Sequence, residues 1–130
     1  MCVFCEIIKG NIPSSKIYED EDFIAILDLS QLTKGHTIVM PKKHYENFLL
    51  MPEDLLAKYL IVIKEITKKL DKTLKPNGYN VLSNINEISG QSVMHAHIHI
   101  IPRYDENDGF GFKSKQTNYK LDEIEKIING

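Results

Sequence analysis

The stretch "VMHAHIHIIPR" (residues 93–103) carries three of the chain's five histidines, His95, His97 and His99, at alternate positions between apolar residues. Its branched residues favour a β-strand, in which successive side chains point to opposite faces of the sheet. The three imidazoles therefore share one face, and the intervening apolar residues share the other. The sequence predicts a half-buried strand over 95–101 that presents a row of histidines.

The flanking sequence predicts further elements in the order β-β-β-α-β-β, with a short helix at each end. In chain order these are a helix in "CVFCEIIKG" (2–10), a hairpin of "KIYE" (16–19) and "FIAILD" (23–28), a strand "HTIVMP" (36–41), a long helix from Pro52 to the "KPNG" turn (75–78), a strand "YNVLSN" (79–84), the histidine strand, and a helix "LDEIEKII" (121–128). Apolar residues spaced by three and four predict the buried face of the long helix: Leu56, Leu60, Ile63, Ile66, Leu70 and Leu74. Pro102 cannot donate to a ladder, so we expect it to end the histidine strand. This order predicts an α+β domain built on an antiparallel sheet.

Length and composition predict one ordinary globular domain. The chain has 130 residues, of which 42% are hydrophobic and 26% charged. A net charge of −2 argues against nucleic acid as a partner. No apolar run approaches the roughly 18 residues of a membrane helix, and no signal-peptide core follows the start. We therefore expect a cytoplasmic protein that binds neither nucleic acid nor membrane.

Three chemical uses fit a row of imidazoles. Alternate histidines of one strand can hold a catalytic metal ion. One neutral imidazole can instead attack an electrophile while its neighbours stabilise the anionic oxygens. The row can also bind an anionic ligand without turnover. Geometry alone leaves the three uses open.

The turn before the row adds hydrogen-bond donors. Gly90 permits close backbone approach, and Gln91 and Ser92 carry donor side chains just ahead of the histidines. Donors beside imidazoles make a pocket for a phosphoryl group. A plain polar loop is the alternative.

Two cysteines form a CxxC pair at the beginning of the chain, Cys2 and Cys5. In a reducing compartment this spacing indicates a metal knuckle or a redox pair, although both can also be small apolar residues of a helix. His44 and one end of the histidine row would complete four ligands, with no position left for a substrate. Such a site is a closed, structural zinc.

The segment "GQSVMHAHIHIIPR" (90–103) resembles the histidine triad (HIT) family, whose mark is His-φ-His-φ-His-φ-φ with φ apolar. Residues 95–101 match that mark throughout. The stretch from "FCEIIKG" to "MPKKH" (4–44) is similar to the N-terminal half of the family, especially its nucleotide-binding Hint branch and bacterial relatives. The resemblance implies an α+β roll with an antiparallel sheet of about five strands and one long helix, paired into a homodimer. It implies a single HIT domain over 1–130, with residues 1–110 matching the family and 111–130 forming a tail.

The resemblance also implies a reaction. The substrate would be a purine nucleoside 5′-phosphate derivative, and His97, the middle histidine, would attack its α-phosphorus. A nucleotidyl-histidine intermediate would form, and water would hydrolyse it. His99 and His36 would lie against the phosphate oxygens, and Ser92 would assist at the phosphate or the departing atom.

Other positions match the family's nucleotide contacts. The implied nucleotide-binding residues are Asp28 at the ribose, Asn84, Gly90 and Gln91 around ribose and phosphate, and Phe4, Ile12 and Leu29 at the base. A carboxylate suits the ribose because the sugar offers two hydroxyl donors. Asp28 could alternatively cap the turn that follows its strand, and the three apolar residues could be plain core.

Some members of the family carry a structural zinc on two cysteines and two histidines, one of which is the first histidine of the triad. Cys2, Cys5, His44 and His95 match that pattern. The resemblance therefore implies a structural zinc and no organic cofactor.

The expected activity is that of a Hint-type hydrolase, which cleaves the P–N bond of purine nucleoside 5′-phosphoramidates such as those of AMP. Three alternatives remain at this point. They are a dinucleoside polyphosphate hydrolase of the fragile-histidine-triad branch, a nucleotide-binding regulatory module with incidental turnover, and a zinc hydrolase that uses the triad as ligands.

Overall fold

A computed structural model describes all residues, 1–130, and shows an α+β domain around one five-stranded antiparallel sheet. The elements are α1 (Val3–Ile8), β1 (Lys16–Glu19), β2 (Phe23–Leu27), β3 (Thr37–Pro41), α2 (Glu53–Leu74), β4 (Gly78–Leu82), β5 (Ile98–Arg103) and α3 (Leu121–Asn129). The strand order is β1-β2-β3-β5-β4, so β5 lies between β3 and β4. The predicted fold class and element order are confirmed.

Each face of the sheet has its own apolar layer because strand side chains alternate. One face of the sheet packs against α2. The apolar cluster there includes Phe23, Ala25, Val39 and Ile100 of the sheet and Tyr59, Val62, Ile63, Ile66 and Leu70 of α2. The opposite face buries Ile24, Ile26, Ile38 and Met40 with Phe4 of α1. The histidine row belongs to this second face, whereas Ala96 and Ile100 belong to the first. The predicted division of residues 95–100 between two faces is therefore confirmed.

Helix α2 begins and ends where its sequence predicts. Pro52 precedes its first turn, which carries the acidic Glu53 and Asp54, and Lys75 ends it in the left-handed conformation, with a φ of 50°. The predicted stripe is wrong at one position, since the side chain of Leu60 is 67% exposed and that of Tyr59 is 1% exposed. Tyr59 is turned inward because its hydroxyl donates to the carbonyl of Val39 in the sheet.

The histidine strand is shorter at its start than predicted. Strand β5 begins at Ile98 and not at residue 95, because the Ala96 amide donates to the Tyr45 carbonyl in a loop rather than to a strand. Pro102 lies inside β5, which corrects the prediction that it ends the strand. The ladder with β3 reaches only Ile100, so β5 is an edge beyond it, where a missing N–H is tolerated.

The chain after β5 is irregular as far as residue 120, where α3 follows as predicted. The Asp108 carboxylate binds the Arg103 guanidinium, with an Nη2–Oδ1 distance of 2.8 Å, and so folds the first part of this segment back on β5. No residue of α3 is buried. None of the helices has both the length and the apolar character that crossing a membrane requires.

Candidate active site

The catalytic candidates lie where β3 and β5 run side by side. The Ile38↔His99 pairing of these strands places His99 next to the start of β3, which follows His36. His36 and His97 are buried, and the rings of His97 and His99 are 5.1 Å apart, edge to face. Three imidazoles, from residues 36, 97 and 99, therefore form one group on the α1 side of the sheet.

The tautomer of His97 is fixed by the main chain. Its Nδ1 lies 2.7 Å from the carbonyl oxygen of His95. Because a carbonyl can only accept, Nδ1 carries the proton and Nε2 keeps a free lone pair. Burial lowers the pKa of His97, so the ring is neutral at pH 7. A neutral imidazole with a bare Nε2 is a competent nucleophile.

His36 and His99 form a directed hydrogen-bond chain. The Leu32 amide donates to Nδ1 of His36 at 3.4 Å, so the other nitrogen, Nε2, carries the proton. That Nε2–H donates to Nδ1 of His99 at 2.9 Å. His99 then presents an Nε2–H, and burial lowers its pKa to about 4. The chain ends in a neutral donor that can hold an anionic oxygen.

Asp28 lies beside the hydrogen-bonded pair of His36 and His99. One carboxylate oxygen accepts from the Ser30 amide at 2.8 Å, and the other lies 3.7 Å from Nε2 of His36. Burial lowers the pKa of His36 despite the opposing effect of Asp28, so His36 is neutral and the two do not form an ion pair. The carboxylate still places a negative charge near the histidines.

Asp28, His36 and His99 bring three ligand atoms within 4.8 Å of one another, which by proximity alone fits a metal ion. The hydrogen bonds argue against this use. A metal on Nε2 of His36 requires a proton on Nδ1, where the Leu32 N–H already points. The arrangement therefore favours a hydrogen bond between His36 and His99 over a catalytic metal.

A second group of ligands lies on the other side of His97. Cys2, Cys5, His44 and His95 also bring their ligand atoms within 4.8 Å of one another. The sulfur–nitrogen distances are 3.4 Å from Cys2 to His95, 3.4 Å from Cys5 to His44 and 3.5 Å from Cys5 to His95, and the two Nδ1 atoms are 3.1 Å apart. In a tetrahedral zinc site with the usual bond lengths, sulfur–nitrogen edges are about 3.5 Å and nitrogen–nitrogen edges about 3.3 Å. The three sulfur–nitrogen distances are close to such edges, and the Nδ1–Nδ1 distance is slightly shorter.

The protonation of His95 also fits a metal. Its Nε2 donates to the carbonyl oxygen of Pro41 at 2.8 Å, which leaves the Nδ1 lone pair facing Cys2, Cys5 and His44. A carbonyl in this position is the usual partner of a metal-binding histidine. One lone pair cannot satisfy several hydrogen bonds at once, so a shared cation explains the convergence better than hydrogen bonding does.

The comparison with known families agrees with this geometry. A model of the HIT domain matches residues 9–106. The chain belongs to the HIT family. The protein named Hit from Bacillus subtilis strain 168 is 46% identical over 128 residues, which cover 97% of this chain and 88% of that protein.

Two further comparisons bear on the site. A Candida albicans protein named adenosine 5′-monophosphoramidase is 42% identical over 130 residues, covering 97% of this chain and 86% of that one. The crystal structure of a HIT family member from Bacillus subtilis superposes with a TM-score of 0.92 at 45% identity, covering 98% of this chain and 92% of that one. The similarity therefore extends over the whole HIT domain and beyond it.

The loop that carries the predicted phosphate contacts is braced by Gln91, which is 2% exposed. Its Nε2 donates to the carbonyls of Glu46 and Val93, and its Oε1 accepts from the Asn86 amide. The structure therefore places both ends of this amide in contact with the main chain and not toward the histidines.

Asn84 and Gly90 lie together in the same loop. Gly90 has a φ of +104°, which favours glycine, and its carbonyl accepts from Nδ2 of Asn84 at 3.5 Å. Ser92 is exposed and lines an open cleft of about 540 Å³ beside Cys2 and His44. The structure gives no hydrogen bond between Ser92 and a histidine.

The predicted base contacts differ from one another in burial. Phe4 is buried, and its ring meets those of His97 and His95 edge on, at 5.0 Å and 5.9 Å. Ile12 is half-buried, and Leu29 is 96% exposed beside Asp28. Phe4 thus packs on the histidine row itself, whereas Leu29 is free to contact a ligand.

The sequence reasoning missed the main-chain groups that orient the imidazoles. These are the carbonyls of Pro41 and His95 and the amide of Leu32. It also missed Gln31, which braces the turn that carries Leu32. Every residue carries the same main-chain groups, so a pattern of side-chain types could not have predicted these contacts.

Proposed function

We propose that this HIT protein is a nucleotide hydrolase that cleaves purine nucleoside 5′-phosphoramidates through a covalent intermediate on His97. The observation that carries the proposal is the bare Nε2 of buried, neutral His97 beside the Nε2–H that His99 presents. The name of the Candida albicans relative, an adenosine 5′-monophosphoramidase, supports the choice of bond.

The reaction proceeds in two steps. Nε2 of His97 attacks the α-phosphorus, the P–N bond breaks, and the departing nitrogen takes a proton from solvent with the help of the Ser92 hydroxyl, while the Nε2–H of His99 holds a phosphoryl oxygen. Water then attacks the phosphorus and releases its proton to solvent, and the bond to His97 breaks. The products are the amine and the nucleoside monophosphate, and the imidazoles regain their starting tautomers.

The proposal assigns the remaining contacts as follows. Asp28 accepts from the ribose hydroxyls, and Asn84, Gly90 and Gln91 shape the loop around ribose and phosphate. Ser92 assists at the departing atom. Phe4, Ile12 and Leu29 contact the base, and Phe4 also supports His97 from the side.

The Cys2, Cys5, His44 and His95 group is proposed to hold a structural zinc. Four protein ligands leave no open position for water or substrate, so the metal stabilises the fold and does not act in the reaction. Its chemistry there is to tie α1 to the loop that carries His44. The assignment leaves His97 and His99 for catalysis.

A homodimer is proposed on the apolar groove between α2 and the start of β5, next to the end of β4. The groove has a volume of about 270 Å³ and is lined by Phe48, Leu56, Tyr59, Leu60, Ser83 and Ile98. Strand β4 is an edge of the sheet, and Leu49 and Leu60 are 66% and 67% exposed. An unpaired edge beside exposed apolar side chains favours association with another chain.

The test is a single turnover with an adenosine 5′-phosphoramidate of a fluorescent amine, followed by intact mass, for the wild type and His97→Ala. We expect amine release with a trapped AMP adduct only when His97 is present. Absent release despite AMP binding would overturn the phosphoramidase proposal. A parallel reaction with a dinucleoside polyphosphate then distinguishes the two alternatives. Turnover would indicate a hydrolase that cleaves a P–O bond, and no turnover would indicate a nucleotide-binding module.

A further inference from the structure

The turn between β2 and β3, residues 28–36, is closed by the side chain of Gln31. Its Nε2 donates to the carbonyls of Asp28 and His36, both at 2.7 Å, and its Oε1 accepts from the Gly35 amide at 2.8 Å. Gln31 is exposed, so solvent could satisfy the same groups. Three short hydrogen bonds within one turn therefore indicate that its geometry matters.

The peptide next to Gln31 is the one that sets the tautomer of His36. The Leu32 amide follows Gln31 directly and donates to Nδ1 of His36. The proton on the opposite nitrogen has two acceptors within reach, Nδ1 of His99 at 2.9 Å and a carboxylate oxygen of Asp28 at 3.7 Å. Only the first distance is that of a hydrogen bond. The Leu32 amide thereby makes His36 the donor and His99 the acceptor of the hydrogen bond between the two rings.

A second segment contacts Leu32 from the outside, at the peptide that follows the one with the donating N–H. A Cβ placed on Gly109 would lie 2.0 Å from the Leu32 carbonyl oxygen, so the two backbones are in direct contact. Nearby, the Tyr104 hydroxyl donates to the Lys34 carbonyl at 2.6 Å. This segment is anchored by the pair of Arg103 and Asp108. The peptide groups on both sides of the Leu32 Cα are therefore held in place.

The direction of the His36–His99 hydrogen bond decides whether His99 presents an N–H or a lone pair to the substrate. If the Leu32 amide moved away, His36 could carry its proton on Nδ1 and turn a bare Nε2 toward His99. His99 would then have to donate from Nδ1, and its own Nε2 would present a lone pair. A lone pair repels a phosphoryl oxygen, whereas an N–H binds it.

We propose that Gln31 and Gly109 are positioning residues that hold the Leu32 amide against His36 and so keep His99 in the tautomer that presents Nε2–H. The catalytic benefit rests on the proposed function. The tautomers themselves are a property of the free protein and can be measured without substrate.

The test is ¹⁵N NMR of the histidine rings in the free, full-length protein at neutral pH, for Gln31→Ala and Gly109→Ala. Matched controls are Gln116→Ala in the exposed tail and Gly111→Ala, whose Cβ would meet nothing within 4 Å. In the wild type and both controls we expect His36 and His99 each to be protonated at Nε2. In Gln31→Ala and Gly109→Ala both rings should shift toward the Nδ1–H form.

The proposal is overturned if both rings keep their Nε2–H in Gln31→Ala while far-UV circular dichroism shows a folded protein. Because Gln31 is exposed, that variant remains informative if Gly109→Ala does not fold. Nδ1–H signals for His36 and His99 in the wild type would also overturn it.

Kinetics with the phosphoramidate give a second readout. Losing one donor to a developing oxyanion costs about 10²–10³ in kcat, so a partial shift of tautomer should lower kcat by about tenfold with little change in KM. An equal loss in both controls, or a rise in KM alone, would contradict the proposal. If the wild type shows no turnover, the proposed function fails while the tautomer result stands by itself.

Discussion

The histidines of this site owe their chemistry to burial as much as to residue type. An exposed imidazole titrates near pH 6.5, whereas burial lowers the pKa of His99 to about 4 and lowers the pKa values of His36 and His97 as well. Solvent alone would leave a large part of such rings protonated in mildly acidic solution. The folded protein favours the neutral forms of His97 and His99 there.

The pH profile of activity should show this directly. Since the folded pKa values lie below the ordinary one, the neutral forms persist as the pH falls through 6.5. We expect the acid limb of kcat/KM for the phosphoramidate to lie below pH 6.5, and the contribution of His99 to be lost only near pH 4. An acid limb centred on pH 6.5 would show that the rings are hydrated in solution.

Acid stability should depend on Asp108. The Arg103 guanidinium lowers the pKa of this carboxyl to about 2. A depressed folded pKa contributes stability that is complete above the unfolded value, near 3.8, and is lost as the pH falls to about 2. Asp108→Asn should therefore unfold at a higher pH than the wild type in acid titrations followed by circular dichroism. Glu106→Gln, an exposed neighbour, is the control and should leave the midpoint unchanged.

At the scale of elements, α1 is short and depends on its ends. It has six residues, and Phe4 is the one that is buried. A helix of this length is not stable alone, so the contacts of Cys2 and Cys5 with His44 and His95 hold it in place. The group of these four residues therefore adds to the apolar packing that keeps α1 on the sheet.

Removal of the proposed zinc should be visible as loss of stability. A structural zinc contributes several kcal/mol, so we expect a strong chelator, or Cys5→Ser, to lower Tm by about 10 °C or more. The measurement is a thermal scan combined with elemental analysis of the purified protein. One zinc per chain before chelation and none afterwards is expected. A metal-free preparation with the same Tm as a zinc-loaded one would contradict the assignment.

The contact between α2 and β3 offers a test that leaves the site untouched. Tyr59→Phe removes a buried hydroxyl that donates to Val39, and a hydrogen bond of this kind contributes about 0.5–1.5 kcal/mol. We expect the free energy of unfolding in urea to fall by that amount. Tyr119→Phe, at a residue that is 73% exposed, should not change it. An equal effect of the two changes would show that the Val39 contact contributes nothing.

The elements were predictable because each has a strong local signal. Proline and an acidic first turn mark the start of α2, short apolar runs mark β2 and β3, and glycine follows α1. The errors arose where a long-range contact overrides the local pattern. The Tyr45 carbonyl takes the Ala96 amide and delays β5, and the Val39 carbonyl draws Tyr59 inward in place of Leu60.

At the scale of the molecule, the proposed dimer predicts a change of mass. Leu60→Asp would put a charge in the apolar groove and should convert the dimer to a monomer in sedimentation equilibrium. The matched control is Ile61→Asp, which is 61% exposed on α2 but does not line the groove. A wild type that sediments as a monomer, or a control that dissociates equally, would contradict the groove as the interface.

The site could be predicted from sequence only as far as side chains define it. The CxxC pair and the spaced histidines identified the ligand group of Cys2, Cys5, His44 and His95, which the fold does bring together. Orientation of the imidazoles depends instead on the main chain, through the carbonyl of His95 and the amide of Leu32. Those groups are common to all residues, so only the folded structure reveals which of them act.

His95 makes two separate contacts. Its ring faces the cysteines, and its carbonyl accepts a hydrogen bond from the ring of His97. Every amino acid brings the same carbonyl, but only a few bring a metal ligand. Descendants of this protein can therefore exchange residue 95 and lose the proposed metal site while inheriting an unaltered acceptor for His97. The proposed metal site and the proposed catalysis are free to diverge separately at a single codon.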